Sequence, residues 1–143
     1  MLNDIMDAVT RRLNELFGDG YEIYTDAVEQ GLKEPCFFVQ FLEPSEKPMI
    51  GRRYYRETAM CIQHLPGDTV QPSRELNRVA DILMDGMEYV TLANGDLLRG
   101  TGRSHRTEDG VLSFLVSYNM FVLKQPAGED PMESIEFEKG MVK

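Results

Sequence analysis

The clearest structural signal in this sequence is an alternation of apolar and polar side chains from Val111 to Lys124. One face of this stretch carries Leu112, Phe114, Val116, Tyr118, Met120 and Val122, and the other face carries Ser113, Ser117 and Asn119. Because successive side chains of a β-strand point to opposite faces, the pattern predicts one long strand with one buried face. The other elements are therefore placed around a sheet.

Two stretches have the three- and four-residue spacing of amphipathic helices. Apolar residues recur in this way over residues 2–17, where Asn3 can cap the start and Gly18 stops the pattern. A second apolar stripe covers residues 76–87 and follows Pro72, a residue that the first turn of a helix tolerates. We expect the second helix to pack on the sheet.

A pair of strands precedes the second helix. Residues 36–42 are rich in aromatic and β-branched side chains on both faces, and residues 54–64 form a second long run. Prolines and a glycine separate the two runs, which indicates an antiparallel pair joined by a wide loop. If that loop is symmetric, Cys36 lies opposite Cys61.

Turn signals connect the remaining strands. A short first strand is expected at residues 21–23, and Asn94-Gly95 separates a strand near Val90 from another over residues 97–105. Asp109-Gly110 marks a hairpin turn before the long final strand. The order lacks the βαβ alternation of parallel sheets, so the sequence predicts a single α+β domain with two helices packed on a mostly antiparallel sheet.

The chain changes character after Lys124. Prolines and glycine interrupt residues 125–143, and acidic residues dominate them, so we divide the chain into a domain over residues 1–124 and an acidic tail. Ile135 and Phe137 alternate with charged residues in a way that suits an extra edge strand added to a neighbouring subunit's sheet. A disordered terminus fits the same residues.

The charge balance argues against nucleic acid as the main ligand. The formal net charge is -9, whereas phosphate binding requires Lys and Arg clustered on one face. The candidates for a local basic cluster are Arg52, Arg53, Arg56, Arg99, Arg103 and Arg106. Exposed strands also carry such charges for solubility.

Neither export nor a membrane span is predicted. An amphipathic helix containing Asp and Glu follows Met1 directly, which differs from a secretion signal. The sequence also has no run of about 18 apolar residues, the length that a membrane-spanning helix needs. We therefore expect the protein in the cytoplasm when it is made.

No metal site, cofactor site or catalytic residue is predicted. The available N and S metal ligands are Cys36, Cys61, His64 and His105, and they lack compact paired spacing. Cys61 and His64 differ by an odd number along a strand, so their side chains point to opposite faces. Both cysteines lie in apolar surroundings that disfavour a thiolate. Gly100 and Gly102 indicate a bulge or a close backbone approach, since a phosphate loop would need a following helix.

Several segments resemble a known family. The segment over residues 21–38 is similar to the opening of small proteins from tailed phages and prophages of Firmicutes, classed among tail terminators. Residues 53–56, 97–100 and 109–114 resemble later blocks of that family, and the aromatic strand over residues 118–122 closes the match. The resemblance covers roughly residues 1–124 and leaves out the acidic tail.

This resemblance implies a structural protein that caps a completed tail tube as a homo-hexameric ring at the head-proximal end of the virion tail. Its partners would be other copies of itself, the tail tube protein and a head-tail connector protein, without sequence-specific nucleic acid binding. The expected interface residues are Arg52, Arg53, Tyr54, Tyr55, Arg99, Arg103, Ile135 and Phe137.

Other functions fit the sequence as well. A head-tail connector or stopper and a tail-tube subunit share small α+β folds and ring assembly. A small enzyme would have only Tyr54, His64, Arg99 and His105 as a suggestive polar set. A host-directed regulator would fit the small size and acidic charge.

Overall fold

The structure is a computed structural model that describes residues 1–26 and 31–125 and the backbone of residues 136–137. Its elements in chain order are α1 (Leu2–Phe17), β1 (Glu22–Tyr24), β2 (Cys36–Phe41), β3 (Ser45–Pro48), β4 (Arg53–Glu57), β5 (Ala59–Leu65), α2 (Pro72–Gly86), β6 (Tyr89–Thr91), β7 (Leu97–Glu108), β8 (Val111–Tyr118), β9 (Met120–Leu123) and β10 (Glu136–Phe137). Both predicted helices are confirmed, and the predicted strands follow in the predicted order, but β3 lies in the segment predicted to be a wide loop.

The strands form two sheets. The six-stranded sheet has the order β1-β2-β5-β8-β7-β6, and the four-stranded sheet has the order β10-β9-β4-β3. The described strand pairs are antiparallel apart from β1 and β2, which run parallel. The predicted fold class, a single α+β domain with a mostly antiparallel sheet, is therefore confirmed.

Both helices begin and end where local signals place them, with one exception. α1 begins at Leu2 and shows no side-chain capping bond, so the predicted capping role of Asn3 is wrong. Gly18 has φ +79° and its N–H donates to the carbonyl of Asn14 (2.8 Å), which ends α1. Pro72 lies in the first turn of α2, as expected.

A single hydrophobic core lies between the helices and the six-stranded sheet. The largest fully buried side chains from the helices and the sheet include Ile5, Leu13, Leu83, Phe37, Ile62, Leu112, Phe114 and Tyr118. Burying each aliphatic or Phe side chain contributes roughly 1.5 to 3 kcal/mol. The six apolar residues that the alternation places on one face of the long final strand, from Leu112 to Val122, are all buried.

Both predicted long strands bend at the same level, so each of them contributes to two sheets. The strand predicted over residues 54–64 is divided at Thr58, and the one predicted over residues 111–124 is divided at Asn119. The backbone N–H of Thr58 donates to Oδ1 of Asn119 (3.0 Å), and the N–H of Tyr118 donates to the carbonyl of Thr58 (2.9 Å). The expectation of two unbroken strands is wrong here, because a side-chain amide replaces a ladder bond.

The same register continues on both sides of this bend. Arg53 pairs with Leu123 in the four-stranded sheet, and Ala59 pairs with Ser117 in the six-stranded sheet. The two strands therefore form one antiparallel ribbon that keeps its two faces across the bend.

The predicted opposition of the two cysteines is wrong. Cys36 pairs with Leu65, and Cys61 pairs with Gln40. Phe41 pairs with Met60, and Ser45 pairs with Glu57 in the hairpin of β3 and β4, so the connection is centred at residues 50–51. Opposition of Cys36 and Cys61 would require a centre at residues 48–49.

Candidate subunit interface

The hairpin of β3 and β4 ends in a three-residue turn, residues 50–52. Its base is closed by the N–H of Met49, which donates to the carbonyl of Arg53 (2.8 Å), and Gly51 supplies a left-handed conformation (φ +69°). Ile50 is 94% exposed and Met49 is 46% exposed. Every charged residue from Lys47 to Arg56 is basic. The hairpin tip, residues 47–53, is therefore apolar and basic on an acidic protein.

A carboxylate on β3 joins the three strands of this hairpin region. Glu46 accepts a hydrogen bond from Nε of Arg56 (2.7 Å) on β4 and another from the ammonium of Lys124, which follows β9. Burial raises the pKa of Glu46, but these two hydrogen bonds outweigh it and hold the pKa below its usual value. The Lys124 ammonium also lies 4.2 Å from the centroid of the Tyr54 ring. These contacts connect β3, β4 and the end of β9 within one subunit.

The predicted interface residues of β4 divide between its two faces. Tyr54 packs against the hydrophobic core. Tyr55 lies on the opposite face, where its ring centroid lies 4.9 Å from that of Phe121 on β9, with the two rings tilted by 50°. The guanidinium carbon of Arg53 lies 5.7 Å from the same Phe121 ring, and Arg52 is exposed at the tip. Arg52, Arg53 and Tyr55 are therefore brought together.

The other two predicted arginines lie in the six-stranded sheet, on β7. Arg99 is exposed and lies 3.5 Å from Glu88. Arg103 follows Gly102, whose φ of +60° marks a bulge in β7, and the bulge turns the Arg103 side chain back onto α2. Its guanidinium donates to the carbonyls of Met84 (2.9 Å) and Gly100 (2.7 Å). Arg103 is therefore used within the subunit.

Arg12 also binds the C-terminal end of α2, a role that the sequence did not predict. Its Nε donates to the carbonyl of Gly86 (2.8 Å), so two guanidinium groups bind the last turn of α2. α2 has no basic residue in its own last turn, and a positive charge there offsets the helix dipole. No local signal marks Arg12, because its partner lies 74 positions away.

Glycine is required where β7 passes the end of α2. A Cβ at Gly100 would lie 2.6 Å from the carbonyl oxygen of Met87, and the N–H of Gly100 donates to the carbonyl of Glu88 (2.6 Å). The bulge at Gly102 and this close approach at Gly100 match the two alternatives that the sequence indicates for these glycines.

Part of the acidic tail pairs within its own subunit. Glu136 lies opposite Leu123 and Phe137 lies opposite Val122, so β10 is an antiparallel edge strand next to β9. Ile135 lies outside the described residues. Addition of this segment to a neighbour's sheet stays a prediction.

The polar set that an enzyme would use is not brought together. His64 is fully buried, its ring lies 4.7 Å from that of Phe37, and its Nδ1–H donates to the carbonyl of Cys36 (3.1 Å). Tyr54 lies in the other sheet, and Arg99 and His105 are exposed on β7.

The thiols and potential metal ligands form no reactive centre in the described part of the chain. Cys36 and Cys61 are free and buried, and burial is the main cause that raises the pKa of each thiol. Residues 1–26 and 31–125 hold no group of three or more His, Cys, Asp or Glu side chains that could bind a metal ion. Neither described helix is long and apolar enough to cross a membrane.

Comparison with known proteins gives one clear match. The model of a family described as phage tail terminator protein matches residues 4–130. No curated protein matches the chain.

Proposed function

The chain belongs to the phage tail terminator family, and from this premise we propose that it closes the tail tube as a ring and presents the surface to which the head is joined. The family match carries the proposal, because it covers residues 4–130, which include nearly all of the described domain. The ring would contain six copies, as the resemblance implies.

The hairpin of β3 and β4 supports assembly of identical subunits. Closed rings are built from heterologous contacts, in which one surface of a subunit meets a different surface of the next. Ile50 and Met49 expose apolar area at the tip, and Arg52 and Arg53 lie beside them. Interfaces are enriched in arginine and aromatic residues, which the hairpin supplies with Arg53, Tyr55 and its neighbour Phe121.

Deleting the gene in the phage or prophage that encodes the chain tests this function. After lysis is induced, tail lengths are measured by electron microscopy. We expect overlong or variable tails that are detached from heads, because nothing stops the polymerisation of the tube. The wild-type gene supplied from a plasmid should restore tails of uniform length.

Tails of normal length in the deletion strain would reject termination. If such tails also lacked heads, the result would point to a head-tail connector or stopper. A deletion strain without any tube would point to a tail-tube subunit.

A further inference from the structure

The centre of one face of the six-stranded sheet carries no charged residue. The helices pack against the face that carries Ile62 and Phe114, and the opposite face is called the outer face here. Its centre is formed by Gln40, Cys61, Gln63, Ser113, Leu115 and Ser117. None of these is charged, although 27% of the whole chain is, and Leu115 is 39% exposed. On the β7 side of this face, Arg106 lies opposite Ser113 and Glu108 lies opposite Val111, so charged residues of both signs border the centre. The central part of a protein interface is typically depleted of charged residues.

The net charge of the chain limits how copies can meet. Each copy carries a formal charge of -9, so two copies repel each other unless their contact surfaces are uncharged or opposite in sign. The centre of the outer face meets the first condition, and the opposite charges of Arg106 and Glu108 on its β7 side offset each other. The hairpin tip meets the second, because its charged residues are all basic.

Acidic residues lie at one end of the outer face. Glu22 pairs with Cys36 across β1 and β2, which places it at the β1 edge of that face, and Glu34 precedes β2 by two positions. Lys33 lies 3.9 Å from Glu22 and offsets one of the two negative charges. The remaining negative charge complements the arginines of the hairpin tip.

We infer that the hairpin tip of one subunit lies on the outer face of the next subunit, with Ile50 and Met49 against Leu115 and with Arg52 directed to the end that carries Glu34. This inference rests on the proposed function, because it names the copy-to-copy contact of the ring. The contact is heterologous: every subunit provides one tip and accepts another, and repetition of this arrangement closes a ring.

The antiparallel ribbon runs through both sheets and connects the hairpin tip to the outer face within each subunit. β4 of the hairpin continues through Thr58 into β5, whose Cys61 and Gln63 lie on the outer face. The hydrogen bonds of Glu46 connect the hairpin of β3 and β4 to the end of β9, which reduces the conformational freedom that the hairpin loses when it binds.

Site-specific photo-crosslinking tests the inference. The photoreactive amino acid p-benzoylphenylalanine replaces Ile50 in the full chain, which is expressed in the deletion phage, and purified tails are irradiated. We expect a crosslinked dimer of this chain whose peptides join residue 50 to β2, β5 or β8. The same probe at Val70, which is 97% exposed in the loop before α2, is the matched control and should give no crosslink to the outer face.

Three results would overturn the inference: capture of a different tail protein, capture of a helix of the neighbouring copy, or no crosslink in assembled tails. If the probe at Ile50 prevents assembly, the reciprocal probe at Leu115 must capture residues 47–53, and its failure to do so rejects the contact. Tail lengths in the deletion strain report on the proposed function separately. A confirmed terminator whose tip captures another protein would therefore reject only this inference.

Discussion

The bend that divides the ribbon between two sheets depends on one buried hydrogen bond. Replacing Asn119 by Ala removes the acceptor of the Thr58 N–H, and both residues are buried. The Asn119 side chain takes the place of a ladder bond at this position, where the two strands change sheets. We expect the Asn119→Ala variant to fold with reduced stability.

The size of the effect follows from burial. A buried N–H without a partner costs about 1 to 3 kcal/mol, and the small void left by the shorter side chain adds about 1 kcal/mol. The free energy of unfolding should therefore fall by about 2 to 4 kcal/mol. For a domain of this size, the corresponding decrease in Tm is on the order of 10 °C.

Urea unfolding of the monomer, followed by circular dichroism, measures this loss, and the slope m should stay unchanged. Asn94→Ala is the matched control, because Oδ1 of Asn94 also accepts a backbone N–H, that of Asp96 (2.9 Å), but in an exposed turn. The control should lose less than about 0.5 kcal/mol. Equal losses in the two variants would refute the role given to the buried bond.

Three further changes have definite expected outcomes. Arg103→Ala should lower the free energy of unfolding by about 1 to 2 kcal/mol in urea titrations, because two hydrogen bonds from a charged group are lost. Burial lowers the pKa of His64, so its contribution to stability should be complete above about pH 6.5 and decline as the pH falls below that value. His64→Phe should remove this part of the pH dependence, measured as urea midpoints from about pH 5 to 8. Replacing Arg52 and Arg53 together by Glu should abolish ring assembly in electron micrographs while circular dichroism stays native.

Each of these changes has a result that contradicts it. Arg99→Ala removes an exposed arginine near Glu88, so a loss as large as that of Arg103→Ala would contradict the importance of the helix end. A wild-type midpoint that does not decrease from pH 7 to 5 relative to His64→Phe would contradict the buried neutral imidazole. Intact rings in the double arginine variant would show that the hairpin tip is not part of the subunit interface.

The elements that depend on local periodicity could be predicted from the residues alone. The stripes of α1 and α2, the alternation in the final strand and the hairpin turn at Asp109-Gly110 are each determined by residues close together in the chain. The segments that resemble the family also identified the terminator family, which the match over residues 4–130 confirms.

How these elements are divided and joined depends on contacts between residues that are far apart in the chain. The bend requires Asn119 to meet Thr58, 61 positions away, and the turn of Arg103 onto α2 requires a bulge opposite a neighbouring strand. The same holds for Arg12, whose acceptor lies on another helix. Periodicity does not predict such contacts. It indicates which face of its own element a residue occupies, but not which distant backbone group its side chain will hydrogen-bond.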